Sequence, residues 1–85
     1  MNNSNQNVVS KNDKNSYNIS GVINADNGNF DQALDYFNKA IEFDPQNYSA
    51  YFNRASIRMH FGDIEGARSD FLECEKLHEK NSYLV

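Results

Sequence analysis

Apolar residues between positions 30 and 41 recur at spacings of three and four, which is the period of one face of an α-helix. They are Phe30, Ala33, Leu34, Phe37, Ala40 and Ile41. Asn29, with Gln32 three residues later, predicts a capping box at the start of this helix. Asp44-Pro45 predicts its end, because proline cannot continue the helical hydrogen bonds and disfavours helix in the residue before it.

The flanking segments have a similar layout. Residues 16–27 carry Tyr17, Val22, Ile23 and Ala25 without the alternation of a strand, and a turn is predicted at Asn27-Gly28-Asn29. After the proline, Asn47 can cap a helix through Met59, and Phe61-Gly62-Asp63 predicts a second turn. A last apolar stripe consists of Ile64, Ala67, Phe71, Cys74 and Leu77, with Asp63 as its cap. The chain is therefore predicted to be all-α, with four antiparallel helices in two hairpins and no strand.

The second half of the folded region repeats the first at a constant sequence offset, which is the separation of Tyr51 from Tyr17. Identical pairs are Tyr17 and Tyr51, Ile23 and Ile57, Gly28 and Gly62, Ala33 and Ala67, Phe37 and Phe71, and Asn47 and Asn81. The matches fall mainly on apolar and small residues, which indicates a shared packing plan. Residues related by this offset are called equivalent below.

Small residues on facing stripes predict a close approach of the helices within each hairpin, with aromatic rings filling the flanks. The predicted packing residues are Tyr17, Gly21, Ala33, Phe37 and Ala40 in the first copy, and Tyr51, Ala55, Ala67, Phe71 and Cys74 in the second. A large side chain at Ala33 or Ala67 is expected to overpack the crossing by roughly 1–3 kcal/mol.

This pattern resembles the tetratricopeptide repeat family over residues 14–81. The first copy matches through Tyr17, Gly21, Gly28-Asn29-Phe30, Ala33, Phe37, Ala40 and Asp44-Pro45, and the second through the equivalent residues, with Glu79 in place of the proline. Where the family tends to have leucine the chain has Ser20 and Arg54, and where it has a large aromatic residue the chain has Asn24 and Arg58. The resemblance implies a right-handed stack of helix hairpins, whose first helices line a concave groove that binds peptides or partner helices, in proteins that are rarely catalytic.

The resemblance also implies where a partner binds. The expected groove face holds Phe52, Asn53, Ser56, Met59 and His60 from the third helix, and Asn18 and Val22, with Asn15 and Asp26, from the first. Phe52 and Met59 have two open interpretations. They form an exposed peptide anchor, or they pack against the second helix and complete the core.

Some members of the family clamp the carboxylate tail of a chaperone. Asn53 matches one clamp position, but Asn18 stands where the clamp has lysine and Val22 where it has asparagine. These departures argue against such a clamp. Arg54 and Arg58, one turn apart, either attract an acidic peptide or pair as solvated charges with acids such as Asp63 or Asp70.

Composition narrows the partners further. The 85 residues carry a net charge of -4, which argues against nucleic acid as a main partner. No apolar run approaches the roughly 18 residues of a membrane span. Residues 1–14 have too few apolar side chains to fold and no secretory signal, so we expect a disordered tail and a cytoplasmic location. The expected organisation is this tail, two repeats in 15–81 (about 14–47 and 48–81), and a short tail in 82–85.

Other chemistry finds little support. Cys74 is the only cysteine, so no internal disulfide forms, and its place on the last stripe predicts burial. Cys74 and His78 have a metal-ligand spacing, but only these two ligands are evident. Asn24–Asn29 has some similarity to a calcium loop, but counting back from Gly28 places Ile23 and Ala25 at positions that need oxygen ligands. We expect no metal, no cofactor, no catalytic residue and hence no enzyme.

Two functions follow from these patterns. The first is a protein-binding adaptor or scaffold that holds a peptide or helix in the groove. The second is a structural, self-assembling repeat unit, a homodimer formed through an uncapped last helix, with Leu72 and Leu77 partly exposed.

Overall fold

The computed structural model describes residues 15–82, and the expected tail 1–14 and residues 83–85 lie outside this range. Within it the chain forms four α-helices and no strand, as predicted. They are α1 (Ser16–Asp26), α2 (Phe30–Phe43), α3 (Tyr48–His60) and α4 (Ile64–Ser82). Helix α4 thus continues one residue past the boundary expected at position 81.

The two hairpin turns, at equivalent positions of the two repeats, have the same geometry. Gly28 and Gly62 have φ angles of 81° and 83°, in the left-handed region where a side chain is strained. The amide after each glycine donates back to the helix, Asn29 N to Asn24 O at 2.8 Å and Asp63 N to Arg58 O at 2.8 Å. This is a Schellman ending, and it satisfies carbonyls that the end of the helix leaves without partners.

The helix starts differ from one another. Asn47 Oδ1 accepts from Ala50 N at 3.2 Å, and Asp63 Oδ1 accepts from Gly66 N at 3.0 Å, so both predicted caps form. The capping box at Asn29 was wrong, because Asn29 precedes α2 but its side chain makes no capping hydrogen bond. Its φ and ψ are -89° and 71°, and it follows a glycine turn of the same geometry as the turn before Asp63, which does cap its helix.

Helix α1 packs on α2, α3 packs on α4, and α3 also packs on α2 and contacts α1. The centre of the core is Phe37, which is 1% exposed and clusters with Ala33 and Ile57. Gly21 lies against the Phe37 ring, since a Cβ there would stand only 2.6 Å from Phe37 Cδ1. A glycine in the middle of α1 therefore allows a phenyl ring to fill the space between the first two helices.

The second hairpin is closed by charge where the family usually has apolar residues. Asp70, 3% exposed, accepts from Arg54 Nε and Nη2 at 2.8 Å and from Arg58 Nη1 at 2.8 Å. Arg58 Nε also lies 3.7 Å from Asp63 Oδ2. Pairing with Asp63 or Asp70 was one of the two interpretations of these arginines. That interpretation assumed solvated side chains, whereas the side chains of Arg54 and Arg58 are only 17% and 27% exposed.

Helix α4 differs from expectation in one leucine. Leu72 is 53% exposed, but Leu77 is 7% exposed, so the expectation that both would be partly exposed was wrong for Leu77. The two residues are five positions apart on an α-helix and so point in opposite directions. None of the helices in residues 15–82 is both long and apolar enough to cross a bilayer.

Candidate peptide-binding groove

The expected groove residues of α1 and α3 lie on two helices that contact each other. On α1, Val22 is 37% exposed. On α3, Phe52 and Met59 are 52% and 49% exposed, and Ser56 between them is exposed as well. These three α3 residues are spaced by four and three positions, so they share one helix face.

A seam of amide side chains joins α1 to α3 beside this face. Asn53 Nδ2 donates to Asn18 Oδ1 at 3.0 Å, and Asn18 Nδ2 donates to Ser49 Oγ at 3.3 Å. Asn47 Nδ2 donates to Asn15 Oδ1 at 3.2 Å. These bonds hold the beginnings of α1 and α3 together with neutral groups, so the seam adds no net charge to the groove.

The placement of Asn18 differs from the open groove position expected for it. Asn18 is 5% exposed, because the contact of α3 with α1 covers it and both ends of its amide are hydrogen-bonded within the seam. Asn53 is half-buried for the same reason. Asn18 therefore forms part of the floor between the helices and is closed to a ligand.

Phe52 makes its aromatic contact within its own hairpin. Its ring is 5.6 Å from that of Phe71 on α4, edge to face. About half of its surface stays exposed, as does that of Met59. Both residues are thus half-exposed side chains, which fits the anchor interpretation better than a completed core.

His60, the last residue of α3, packs against two aromatic rings. Its ring lies 4.0 Å from the Phe30 ring and 5.3 Å from the Phe61 ring, measured between centroids. The contact with Phe30 ties the end of α3 to the start of α2. His60 is exposed, but its flat face is used in packing.

The positive charge next to the groove is compensated inside the protein. The hydrogen bonds from Arg54 to Asp70 raise the pKa of the Arg54 guanidinium. Arg54 also donates to Asn38 Oδ1 on α2 at 2.9 Å, which links the two hairpins. These bonds leave the arginines few free donors for an acidic peptide.

The predicted packing residues do not share one degree of burial. Buried are Gly21, Ala33, Phe37, Ala40, Ala55 and Ala67; half-buried are Tyr17, Tyr51 and Cys74; Phe71 is 36% exposed. Burial raises the pKa of the Cys74 thiol, and Glu75 adds to this effect. Among residues 15–82 no three His, Cys, Asp or Glu side chains come together in a group able to hold a metal ion.

A polar cleft of about 360 Å³ lies beside the groove, at the start of α3. It is lined by Asn15, Asp44, Gln46, Asn47, Tyr48 and Ser49. The sequence pattern named Asn15 for the groove face but missed the role of Ser49 and Asn47 in the seam. The signal was present, since Ser49 lies three residues before Phe52 on the same helix face.

Comparison with protein-family models assigns this helical repeat to a known family. Two models described as tetratricopeptide repeat match the chain, one over residues 15–47, which is the first hairpin, and one over residues 36–69. Together they match well over half of the chain. No solved structure matched it.

Curated relatives agree with the family models. Tetratricopeptide repeat protein 36 of Danio rerio is 44% identical over 61% of this chain and 28% of its own length. Its homolog from Nematostella vectensis is 44% identical over 74% of this chain and 35% of its own length. The photosystem I assembly protein Ycf3 of Rippkaea orientalis is 36% identical over 75% of this chain and 36% of its own length.

The chain thus spans about a third of the length of these relatives. The region matched by the family models contains the left-handed glycine of each turn, buried small residues of each crossing, and the recurrence of both at equivalent positions. On these grounds the chain belongs to the tetratricopeptide repeat family.

Proposed function

We propose that this chain is a non-catalytic protein–protein interaction module that binds a peptide or helix along the groove formed by α1 and α3. Tetratricopeptide repeats generally mediate protein–protein interactions and act as scaffolds. The observation that carries the proposal is the pair of half-exposed apolar side chains, Phe52 and Met59, on one face of α3.

The spacing of this pair limits the ligand. Seven residues along a helix separate Phe52 from Met59, which is roughly 10 Å. A peptide in the polyproline II conformation offers side chains on one face roughly 9 Å apart, from residues three apart, and a helix offers them at that spacing from residues seven apart. The ligand is therefore expected to present two apolar side chains about 10 Å apart.

Two polar groups near Phe52 supply the polar part of recognition. The Asn53 amide, which belongs to the seam, is half-buried, and Ser56 is exposed one turn later. Since Ser56 Oγ donates to Phe52 O at 3.2 Å, it offers a hydrogen-bond acceptor to a peptide backbone. A clamp for the carboxylate tail of a ligand is not part of the proposal, since Arg54 and Arg58 donate hydrogen bonds to Asp70.

The test selects peptides from a random displayed library on the immobilised chain and measures their affinity by calorimetry. Phe52→Ala and Met59→Ala are each expected to weaken binding at least tenfold, and Ser56→Glu to abolish it by filling the groove with charge. Phe43→Ala is the matched control, because Phe43 is 49% exposed on α2, outside the groove. Peptides that bind all four variants as well as the original chain would refute the groove.

A second candidate function is self-assembly. It is favoured by Phe71 and Leu72, which are 36% and 53% exposed on α4. If self-assembly is the main role, the library selection yields no binding peptide, and Phe52→Ala and Met59→Ala change the oligomeric state instead. The cytoplasmic location and the absence of a nucleic-acid partner stay predictions.

A further inference from the structure

The second hairpin carries a continuous apolar surface at its outer side. We name it the end face; it consists of Phe52 and Met59 on α3 and Ile64, Phe71 and Leu72 on α4, between 36% and 53% exposed. The contact between the rings of Phe52 and Phe71 sets the antiparallel register of α3 and α4. Seven residues from that contact along each helix, toward the turn, the same register places Met59 beside Ile64.

The first hairpin has the equivalent surface, but there it is covered. Phe37, the equivalent of Phe71, is 1% exposed, and Ala25 and Phe30 pack on the core cluster that contains Ile57 of α3. Asn38, the equivalent of Leu72, accepts from Arg54 of α3. In the first hairpin this face is therefore covered by the first helix of the following hairpin, α3.

Helix α1 presents the residues that α3 uses for this contact. Ile57, which α3 inserts into the core, is 5% exposed, whereas its equivalent Ile23 on α1 is 55% exposed. Ile19 corresponds in the same way to Asn53 and is half-buried. We name Ile19 and Ile23 the leading face.

The two faces complement each other when the internal contact is used as a template. Within the chain Ile57 packs next to Phe37. Between two copies the equivalent pair is Ile23 of one copy next to Phe71 of the other, which is again an apolar pair. Asn53 bonded to Asn18 becomes Ile19 next to Phe52, so that both partners change from polar to apolar together. A polar residue on one side only would leave a buried amide without a partner, and this arrangement avoids that cost.

From these relations we propose that the end face binds the leading face of a second copy of this chain, so that copies stack head to tail in the geometry by which the second hairpin follows the first. Because the two faces differ, the contact does not close on itself, and stacks can grow beyond a dimer.

The test measures mass by sedimentation equilibrium across a wide concentration range, with Ile23→Glu and Phe71→Glu as variants. The average mass of the original chain is expected to rise with concentration past twice the 9.8 kDa monomer. Each variant alone stays monomeric, because one of its two faces carries a charge. An equimolar mixture forms dimers and nothing larger, since the intact end face of Ile23→Glu meets the intact leading face of Phe71→Glu.

A charge control and a folding control accompany these variants. Phe43→Glu charges a ring on α2 that is 49% exposed and lies outside both faces, and this variant is expected to stack like the original chain. Circular dichroism melts verify that each variant is folded. Should Phe71→Glu unfold, Leu72→Glu replaces it on the end face.

Three outcomes overturn the proposal. The original chain stays a monomer at every concentration, as it would if its own residues 1–14 or a different protein occupied the end face. Ile23→Glu self-associates by itself, as in a symmetric dimer of end faces. Or the mixture of the two variants fails to form dimers.

Discussion

Phe37 and Phe71 occupy equivalent places in the two hairpins, yet Phe37 is 1% exposed and Phe71 is 36% exposed. The difference comes from α3, which packs on α2 and covers Phe37, whereas no helix among residues 15–82 covers Phe71 in the same way. Equivalent positions in a repeat therefore contribute unequally to stability.

The first prediction follows from that inequality. Phe37→Ala is expected to lower the free energy of unfolding by about 3–5 kcal/mol, because it opens a cavity in the core. Phe71→Ala is expected to cost the monomer less, about 1–2 kcal/mol, since its ring is only partly buried and its loss opens no enclosed cavity. Urea unfolding at low protein concentration measures both, and Phe37→Leu serves if the alanine variant does not fold. Equal costs at the two positions would contradict the structure.

The second prediction concerns the glycine beneath Phe37. Gly21→Ala improves the helix propensity of α1 by about 1 kcal/mol, but its Cβ collides with a buried ring that has no room to move. We expect a net loss of roughly 1–3 kcal/mol.

Gly66 offers the matched control for this substitution. A Cβ on Gly66 meets only the Asp63 carboxylate, the end of an exposed side chain that can rotate away. The gain in propensity of about 1 kcal/mol and the weakened cap then nearly cancel. A Gly21→Ala variant as stable as Gly66→Ala would show that the first hairpin is more loosely packed than described.

The third prediction concerns the ion cluster of the second hairpin. Asp70→Asn leaves Arg54 and Arg58 without their buried counter-charge, so we expect a loss of about 2–4 kcal/mol, at the lower end because both guanidinium groups keep some solvent contact. Glu73→Gln is the control, because its 3.6 Å pair with Lys76 is largely exposed and worth under about 1 kcal/mol. Thermal melts of the two variants compare the costs directly.

The same cluster need not be the most stable solution. Replacing Arg54, Arg58 and Asp70 together with leucine introduces an apolar contact, and such replacements of complete buried ionic groups are often neutral or stabilising. We therefore expect this triple variant to melt above Asp70→Asn. A triple variant that melts lower would mean that the charges organise the hairpin beyond their pairwise energy.

The fourth prediction is a loss of stability in alkali. Burial raises the pKa of the Cys74 thiol above 9.0 and, together with Glu73, raises the pKa of the Tyr51 phenol above 10.0. As pH rises the unfolded chain loses these protons first. The contribution of each group to the free energy of unfolding is therefore complete below its unfolded pKa and is lost as pH rises from that value through the higher folded pKa.

Unfolding experiments at a series of pH values test this. At neutral pH these two groups leave stability unchanged, and it declines as the pH rises through their unfolded pKa values toward the higher folded ones. Cys74→Ala removes the part of the decline at lower pH, and Tyr51→Phe removes the part at higher pH. A decline of the same slope in the double variant would assign the effect to other groups.

Local features were predictable from the residues alone because they depend on neighbours a few positions away. The period of three and four, the glycines of the turns, and the caps at Asn47 and Asp63 each act within one or two helical turns. One local feature was predicted wrongly: the Asn29 side chain makes no capping hydrogen bond, although Asp63 caps its helix after an equivalent glycine turn.

The repeat itself and its small residues were also determined by sequence, and with them the family and the helix order. What only the tertiary structure decided is which equivalent residue is covered. Asn18 is buried and Phe52 is half-exposed, Phe37 is buried and Phe71 is not, and Arg54 shares Asp70 with Arg58. Burial depends on the element that lies across a face, and a helix cannot encode in its own periodicity whether a neighbour will be there.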